Sequence, residues 1–451
     1  MTWWTKALRS VISSEDNEQL DLFKVFPGFR RFLATRQHYA QLRTAGDMLF
    51  IIVLLSGFFG PRDANKNVAV FLTWGILWPA IVLSWFFVGR MWCGICPFPG
   101  LGLFLQRKGL TLSLPVPRFL KKYGVYSSVF LLALIIWAEI VGGLDQSPLG
   151  TSCLILSIIL GSALLALLYP GQAWCRHLCP LGRISGAAAT LAITEFRANH
   201  ERCQGCTTFA CQRGGEGKRG CPVYLGAYSV KHNLHCLVCG HCIPNCDRDS
   251  PQFLLRNPYS ELIHNKGRYI TSNYIVPFLI GSQLARFFRQ KEFYHHVVGL
   301  LGSEAAAFSF LLIIAYILVL VGIRLGNRWL GHTDASLFGR FSPMVPILIP
   351  MAFSGELVYR LGYWAAGIGN FLPTLGRQAG VQFFQHFSFV IPDFPVQILS
   401  AFLMLNSSIA ACYILWRFCL EDFEGMIKLH NFIALNFLIS LFLLSYLFVI
   451  F

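Results

Sequence analysis

Apolar residues gather into long runs near 48–60, 68–89, 124–143 and 153–170, and again near 270–285, 297–323, 342–368, 394–416 and 431–451. Polar and basic residues fill the stretches between them. A helix needs roughly 20 apolar residues to cross a bilayer, so most of these runs predict membrane spans. The run at 48–60 is short for this, and that at 270–285 is ambiguous. The pattern therefore predicts an all-α polytopic membrane protein of eight or nine transmembrane helices. Residues 195–269 carry no such run and read as an inserted polar module.

Composition narrows the class. Apolar residues make up 55% of the chain and charged residues 13%, with a mean hydropathy of +0.55, which excludes an ordinary soluble domain. A net charge of +15 raises the question of nucleic acid, but the basic residues lie in the loops between apolar runs and not along one stripe. Membrane topology accounts for them instead, and membrane lipid rather than nucleic acid is the expected surrounding. Seven Lys/Arg fall in 1–46, six in 90–123 and twelve in 171–270, against two in 61–67 and none in 144–152. The positive-inside rule then places the N-terminal segment and the polar module on the cytoplasmic side of a bacterial inner membrane. Basic residues beyond 286 divide almost evenly and leave the C-terminal orientation open.

Chemistry enters with the cysteines. One set reads Cys203-x2-Cys206-x4-Cys211-x9-Cys221-Pro222, and the next Cys236-x2-Cys239-x2-Cys242-x3-Cys246. The second set has the spacing by which a short loop offers three thiolates to one cubane and a fourth to a neighbour. Two [4Fe-4S] clusters are the direct reading, with these eight cysteines as metal ligands. A zinc site would leave four of them idle. Disulfides are disfavoured on a reducing cytoplasmic side. Two further pairs close the second and fourth apolar runs: Trp92-Cys93-Gly94-Ile95-Cys96-Pro97 and Trp174-Cys175-Arg176-His177-Leu178-Cys179-Pro180. This internal repeat puts four thiols at the same membrane edge, a candidate third redox or metal site. Four divisions follow: a cytoplasmic segment at 1–46, a four-helix membrane domain with the two Cys-Pro hairpins at 47–194, a dicluster ferredoxin-like module at 195–269, and C-terminal membrane helices at 270–451.

Over about residues 40–260 this arrangement resembles the membrane-bound polyferredoxins of anaerobic and microaerobic respiration. That group includes the quinol dehydrogenase subunit of periplasmic nitrate reductase, the electron donor and maturation protein of nitrous oxide reductase, and the copper-handling assembly factor of cytochrome cbb3 oxidase. The resemblance implies that Cys203, Cys206, Cys211 and Cys246 hold one cluster, and that Cys236, Cys239, Cys242 and Cys221 hold the other. It also implies electron exchange with a quinone or a metal ion. The chain departs from the group in the two-residue gap between Cys93 and Cys96, the four-residue gap between Cys206 and Cys211, and Asp247 after Cys246.

Other ionisable residues in apolar surroundings are functional candidates because burying charge in a membrane is costly. Glu139 is a candidate proton acceptor from quinol. Glu356 and Arg360, one helical turn apart, read as a buried pair that holds a helix in place. The expected function is one-electron transfer between the quinone pool, or the membrane-edge thiols, and a partner redox protein or larger respiratory complex. A copper reductase or assembly factor built on Cys93, Cys96, Cys175 and Cys179 is one alternative, and a structural or regulatory subunit of a respiratory complex is another.

Overall fold

The computed structural model describes residues 3–13, 19–215, 218–265, 270–331, 342–422 and 429–451. Among them, eight helices are long and apolar enough to cross a membrane. They are α1 (Arg36–Phe59), α2 (Val68–Val88), α3 (Arg118–Val141), α4 (Pro148–Leu168), α6 (Glu304–Trp329), α7 (Met344–Ala379), α8 (Asp393–Asp422) and α9 (Leu429–Ile450), with α5 (Ile270–Phe288) as an additional long helix. The short first apolar run becomes a full span because the helix continues on its N-terminal side, the apolar stretch starting at Ala40.

The chain forms two compact units. One comprises residues 1–54, 83–128 and 153–261. Its centre is a three-stranded antiparallel sheet of β1 (Leu20–Asp21), β2 (Thr194–Ala198) and β3 (Pro251–Leu255), with β3 in the middle. Thr194 pairs with Leu255 and Ala198 with Pro251, so β2 and β3 bracket the cysteine loop at its entry and exit. Strand alternation turns Phe196, Ala198 and Phe253 inward, where they join Phe23, Leu33, Val238 and Ile243. Cys203, Cys211, Cys236 and Cys242 pack against this core. Polar groups lock the sheet to the preceding helix, Pro180–Ala189. Arg256, buried, donates to the carbonyls of Ala192 and Thr190 at 3.0 and 2.9 Å and pairs with Glu195 and Glu261. The Asn233 amide donates to the Ala189 and Thr194 carbonyls at 3.1 and 2.9 Å. Close approach depends on small residues: a Cβ on Gly186 would lie 2.6 Å from the Leu234 carbonyl oxygen.

The other unit comprises residues 55–82, 129–152 and 262–451. Its axis is α5, buried along nearly its whole length against α6, α7 and α9. The ambiguity of 270–285 has a physical cause. Thr271, Ser272, Asn273, Ser282, Gln283 and Arg286 lower its hydropathy, yet every one is buried inside the unit and none faces lipid. An enclosed helix needs no apolar surface all round. Phe278 meets Tyr316 edge-on and Arg289 pairs with Glu304, so α5 and α6 run antiparallel. Within α2, residues Phe71–Leu77 form a π-helical segment.

Candidate functional site

The cysteine loop is shaped by residues in the left-handed backbone region. In the first Cys-x2-Cys turn of each set the residue before the second cysteine has positive φ: Gly205 at 70° and Val238 at 50°. Glycine takes this conformation freely, but a β-branched valine does so only under constraint, a form of strain that concentrates at functional sites. Phe209 and Tyr224 share it, at 47° and 56°. These turns aim backbone amides at sulphur. Leu225 N–H donates to Cys221 Sγ at 3.3 Å and Ser250 N–H to Cys246 Sγ at 3.3 Å, while Ser250 Oγ lies 3.0 Å from Cys203 Sγ.

The loop encloses two cavities. Cys203, Cys206, Cys211 and Cys246 line the first. Cys221, Cys236, Cys239 and Cys242 line the second, under Phe196, Val230 and Leu237. Among the described residues no three Cys, His, Asp or Glu side chains converge closely enough to hold a single metal ion. The all-sulphur donor set in each cavity is one that an iron–sulphur cluster uses. Burial raises the thiols of Cys211, Cys221, Cys239 and Cys242 and pushes Cys236 up to about 12. Thiolates here become favourable once iron supplies compensating positive charge.

The four membrane-edge cysteines also come together. Cys96 is raised well above an ordinary thiol, first by burial and then by the proximity of Cys93, Cys175 and Cys179. Cys179, pushed up to about 11 by burial, caps the following helix by accepting the Gly182 N–H at 3.2 Å. Trp174–Leu178 is a π-helical turn, which breaks the regular ladder where Cys175 must turn toward its partners. Arg90, 6% exposed, donates to the Leu234 carbonyl at 2.7 Å and brings positive charge beside Cys175 and Cys179. His177 is held neutral, its pKa lowered to about 4 by burial and by Arg176 and Arg183.

In the second unit, the candidate carboxylates form one network. Arg360 grips Glu139 with two nitrogens at 2.7 and 3.2 Å and reaches Glu356 at 3.0 Å. Arg286 pairs with the other Glu356 oxygen at 2.5 Å, and the Trp78 indole donates to Glu356 at 3.2 Å. Two carboxylates face two guanidiniums, so the network is neutral and fully buried. Held bidentate, Glu139 is part of a helix clamp that joins α3, α5 and α7. Helical spacing predicts the pairing of Glu356 with Arg360 but carries no sign of Arg286, whose helix follows from an apolar run that is ambiguous as a span.

A 4Fe-4S binding domain is matched at residues 70–114 and 152–191. These stretches hold Cys93, Cys96, Cys175 and Cys179 and stop short of Cys203. An uncharacterised protein of Methanocaldococcus jannaschii is 27% identical over 184 residues, 39% of this chain and 68% of the relative. YccM of Escherichia coli, provisionally named an electron transport protein, is 28% identical over 135 residues, 29% of this chain. The chain spans about a third of YccM, 34% of its length. No solved structure matches. The chain is thus similar to an iron–sulphur binding domain and to a protein named for electron transport, and eight of its helices among the described residues are long and apolar enough for a multi-pass membrane protein.

Proposed function

We propose that this protein passes electrons one at a time through two [4Fe-4S] clusters, held by Cys203, Cys206, Cys211 and Cys246 and by Cys221, Cys236, Cys239 and Cys242. The observation that carries the reading is the division of the eight cysteines between two cavities, four to each. Bound clusters supply the one-electron chemistry. The chain's own residues fix their position, exclude water from the second cavity and aim amides at the sulphurs. Cys93, Cys96, Cys175 and Cys179 form a third redox site at the membrane edge, across which electrons exchange with the quinone pool. The partner at the other end is a redox protein or a larger respiratory complex, and the clusters face the cytoplasm of a bacterial inner membrane.

Iron and acid-labile sulphide on the purified protein test this. The loop accounts for about eight irons. Cys221→Ser should remove the cluster of the second cavity and Cys246→Ser that of the first, each lowering iron by about four and leaving a different paramagnetic signal. Iron above eight that disappears in Cys175→Ser/Cys179→Ser belongs to the third site. Zinc without iron or sulphide overturns the reading.

A further inference from the structure

A third cavity in the first unit borders both the membrane-edge hairpins and the second cysteine cavity. Gly94 and Gln172 line it together with Cys221 and Cys239. Three arginines bring charge into it, Arg43, Arg107 and Arg213, and among the described residues no carboxylate lines it. Among the described residues none of the three is engaged in an ion pair. Arg43 makes a long 3.4 Å contact to the Cys96 carbonyl, and Arg213 lies over the Phe209 ring. Asp47 is the carboxylate that feels Arg43 and Arg107, at a distance and without pairing. The Oε1 atom of Gln172 is buried with no hydrogen-bond partner, so an acceptor is also open there to a hydroxyl group of the ligand.

Hydrogen bonds and close packing fix the walls. Tyr224 is held at a φ of 56° and its ring packs over Gly171, where a Cβ would come within 2.7 Å of it. Gln106 donates its amide to three carbonyls, those of Ala166, Tyr169 and Gly171, at 2.9, 3.0 and 3.0 Å, which fixes the end of α4 beside the cavity. Gln212 is likewise tied to the Tyr224 carbonyl at 2.8 Å. The walls are therefore ordered while the arginines are left to bind. Guanidinium groups that line one cavity with no carboxylate among the described residues match a phosphoryl anion, which accepts several charge-assisted hydrogen bonds at once.

We propose that this cavity binds a phosphoryl anion, either the headgroup of an anionic phospholipid or a free phosphorylated ligand, beside the cysteines of the second cluster. The binding stands on the arginines alone. Its redox consequence rests on the reading of Cys221 and Cys239 as cluster ligands: a bound anion next to them disfavours the reduced cluster and lowers its potential.

Inorganic pyrophosphate is the probe, titrated by calorimetry into the full-length protein in phosphatidylcholine nanodiscs. One site per chain is expected, weakened roughly tenfold or more by Arg107→Gln/Arg213→Gln, since hydrogen bonds to charged groups are the strong ones and two such donors are lost. Both arginines are exposed, so the variant should fold, and an unchanged melting temperature verifies that. In phosphatidylglycerol nanodiscs, undiminished binding identifies a free ligand. Suppressed binding, with phosphatidylglycerol retained through delipidation by the wild type and not by the variant, identifies a headgroup. Absence of both pyrophosphate binding and lipid retention, or binding indifferent to the two substitutions, overturns the site. A failed iron measurement leaves these results untouched, while binding with no change in cluster potential removes only the redox consequence.

Discussion

Cys206 and Cys236 both belong to Cys-x2-Cys turns of the loop but lie in opposite environments. The Phe209 N–H and the Thr208 hydroxyl favour a thiolate at Cys206, whose pKa is lowered. Burial works against one at Cys236, pushed up to about 12. In the iron-free protein the sign of the effect follows directly. Cys206 ionises below the usual thiol range, so its alkylation should become rapid as pH rises toward 8. Cys236 stays a neutral thiol until far more alkaline conditions and should remain unmodified. Iodoacetamide labelling of chelator-treated protein at pH 8, read by peptide mass spectrometry, should find Cys206 modified well ahead of Cys236. Equal labelling would mean that the loop has collapsed to a disordered chain without iron. In either case iron uptake should release protons, because buried thiols must ionise to bind it.

At the scale of elements, the Glu139, Arg360, Glu356 and Arg286 network decides how α3, α5 and α7 are held. Removing one member of a buried pair leaves an uncompensated charge and costs about 3–5 kcal/mol, whereas removing both partners leaves a neutral site. Arg360→Met strands Glu139, so it should lower thermal stability strongly. Glu139→Gln/Arg360→Met keeps Glu356 balanced by Arg286 and should recover much of the loss. A double variant no better than the single one would show that the clamp acts through packing of Arg360 on Trp74 and Tyr359, whose rings lie 5.4 and 5.0 Å from its guanidinium. Half of this network is legible in the sequence, through the helical spacing of Glu356 and Arg360. The other half is hidden, because long-range pairing leaves no periodic trace and because α5 is polar where it is most enclosed. The two-residue strand β1 is equally invisible: Leu20 and Asp21 carry no alternation, and their place beside β3 is set by tertiary contact alone. By contrast, the lipid-facing helices declare themselves, since each must be apolar over its exposed surface.

For the whole molecule the sequence leaves open the orientation of residues beyond 270, and contacts within each unit decide what to expect. Leu20 pairs with Leu255, so the N-terminal segment and the cysteine loop share one sheet and lie on one side. The function proposed above puts that side in the cytoplasm, as the positive-inside rule expects. The loops at 61–67 and 144–146 then face outward. The Thr374 hydroxyl donates to the Asn65 carbonyl at 2.9 Å, and the Tyr363 hydroxyl to the Asp145 carbonyl at 2.9 Å, which brings the C-terminal part of α7 to the outer side. Trp137, near the outer end of α3, donates to Ser309 at 3.0 Å, so α6 begins outside. The chain leaves the cysteine loop inside and must reach Glu304 outside, and α5 is the helix available to cross. At about 1.5 Å per residue its 19 residues cover roughly 28 Å, close to the thickness of the hydrocarbon core. We therefore expect nine crossings and an outward C-terminus. Alkaline phosphatase fusions after Gln146, Gly302 and Gly380 should be active, and those after Asn199 and Leu330 inactive. The fusion at Gly302 is decisive, because an eight-helix arrangement in which α5 fails to cross would leave it in the cytoplasm and silent.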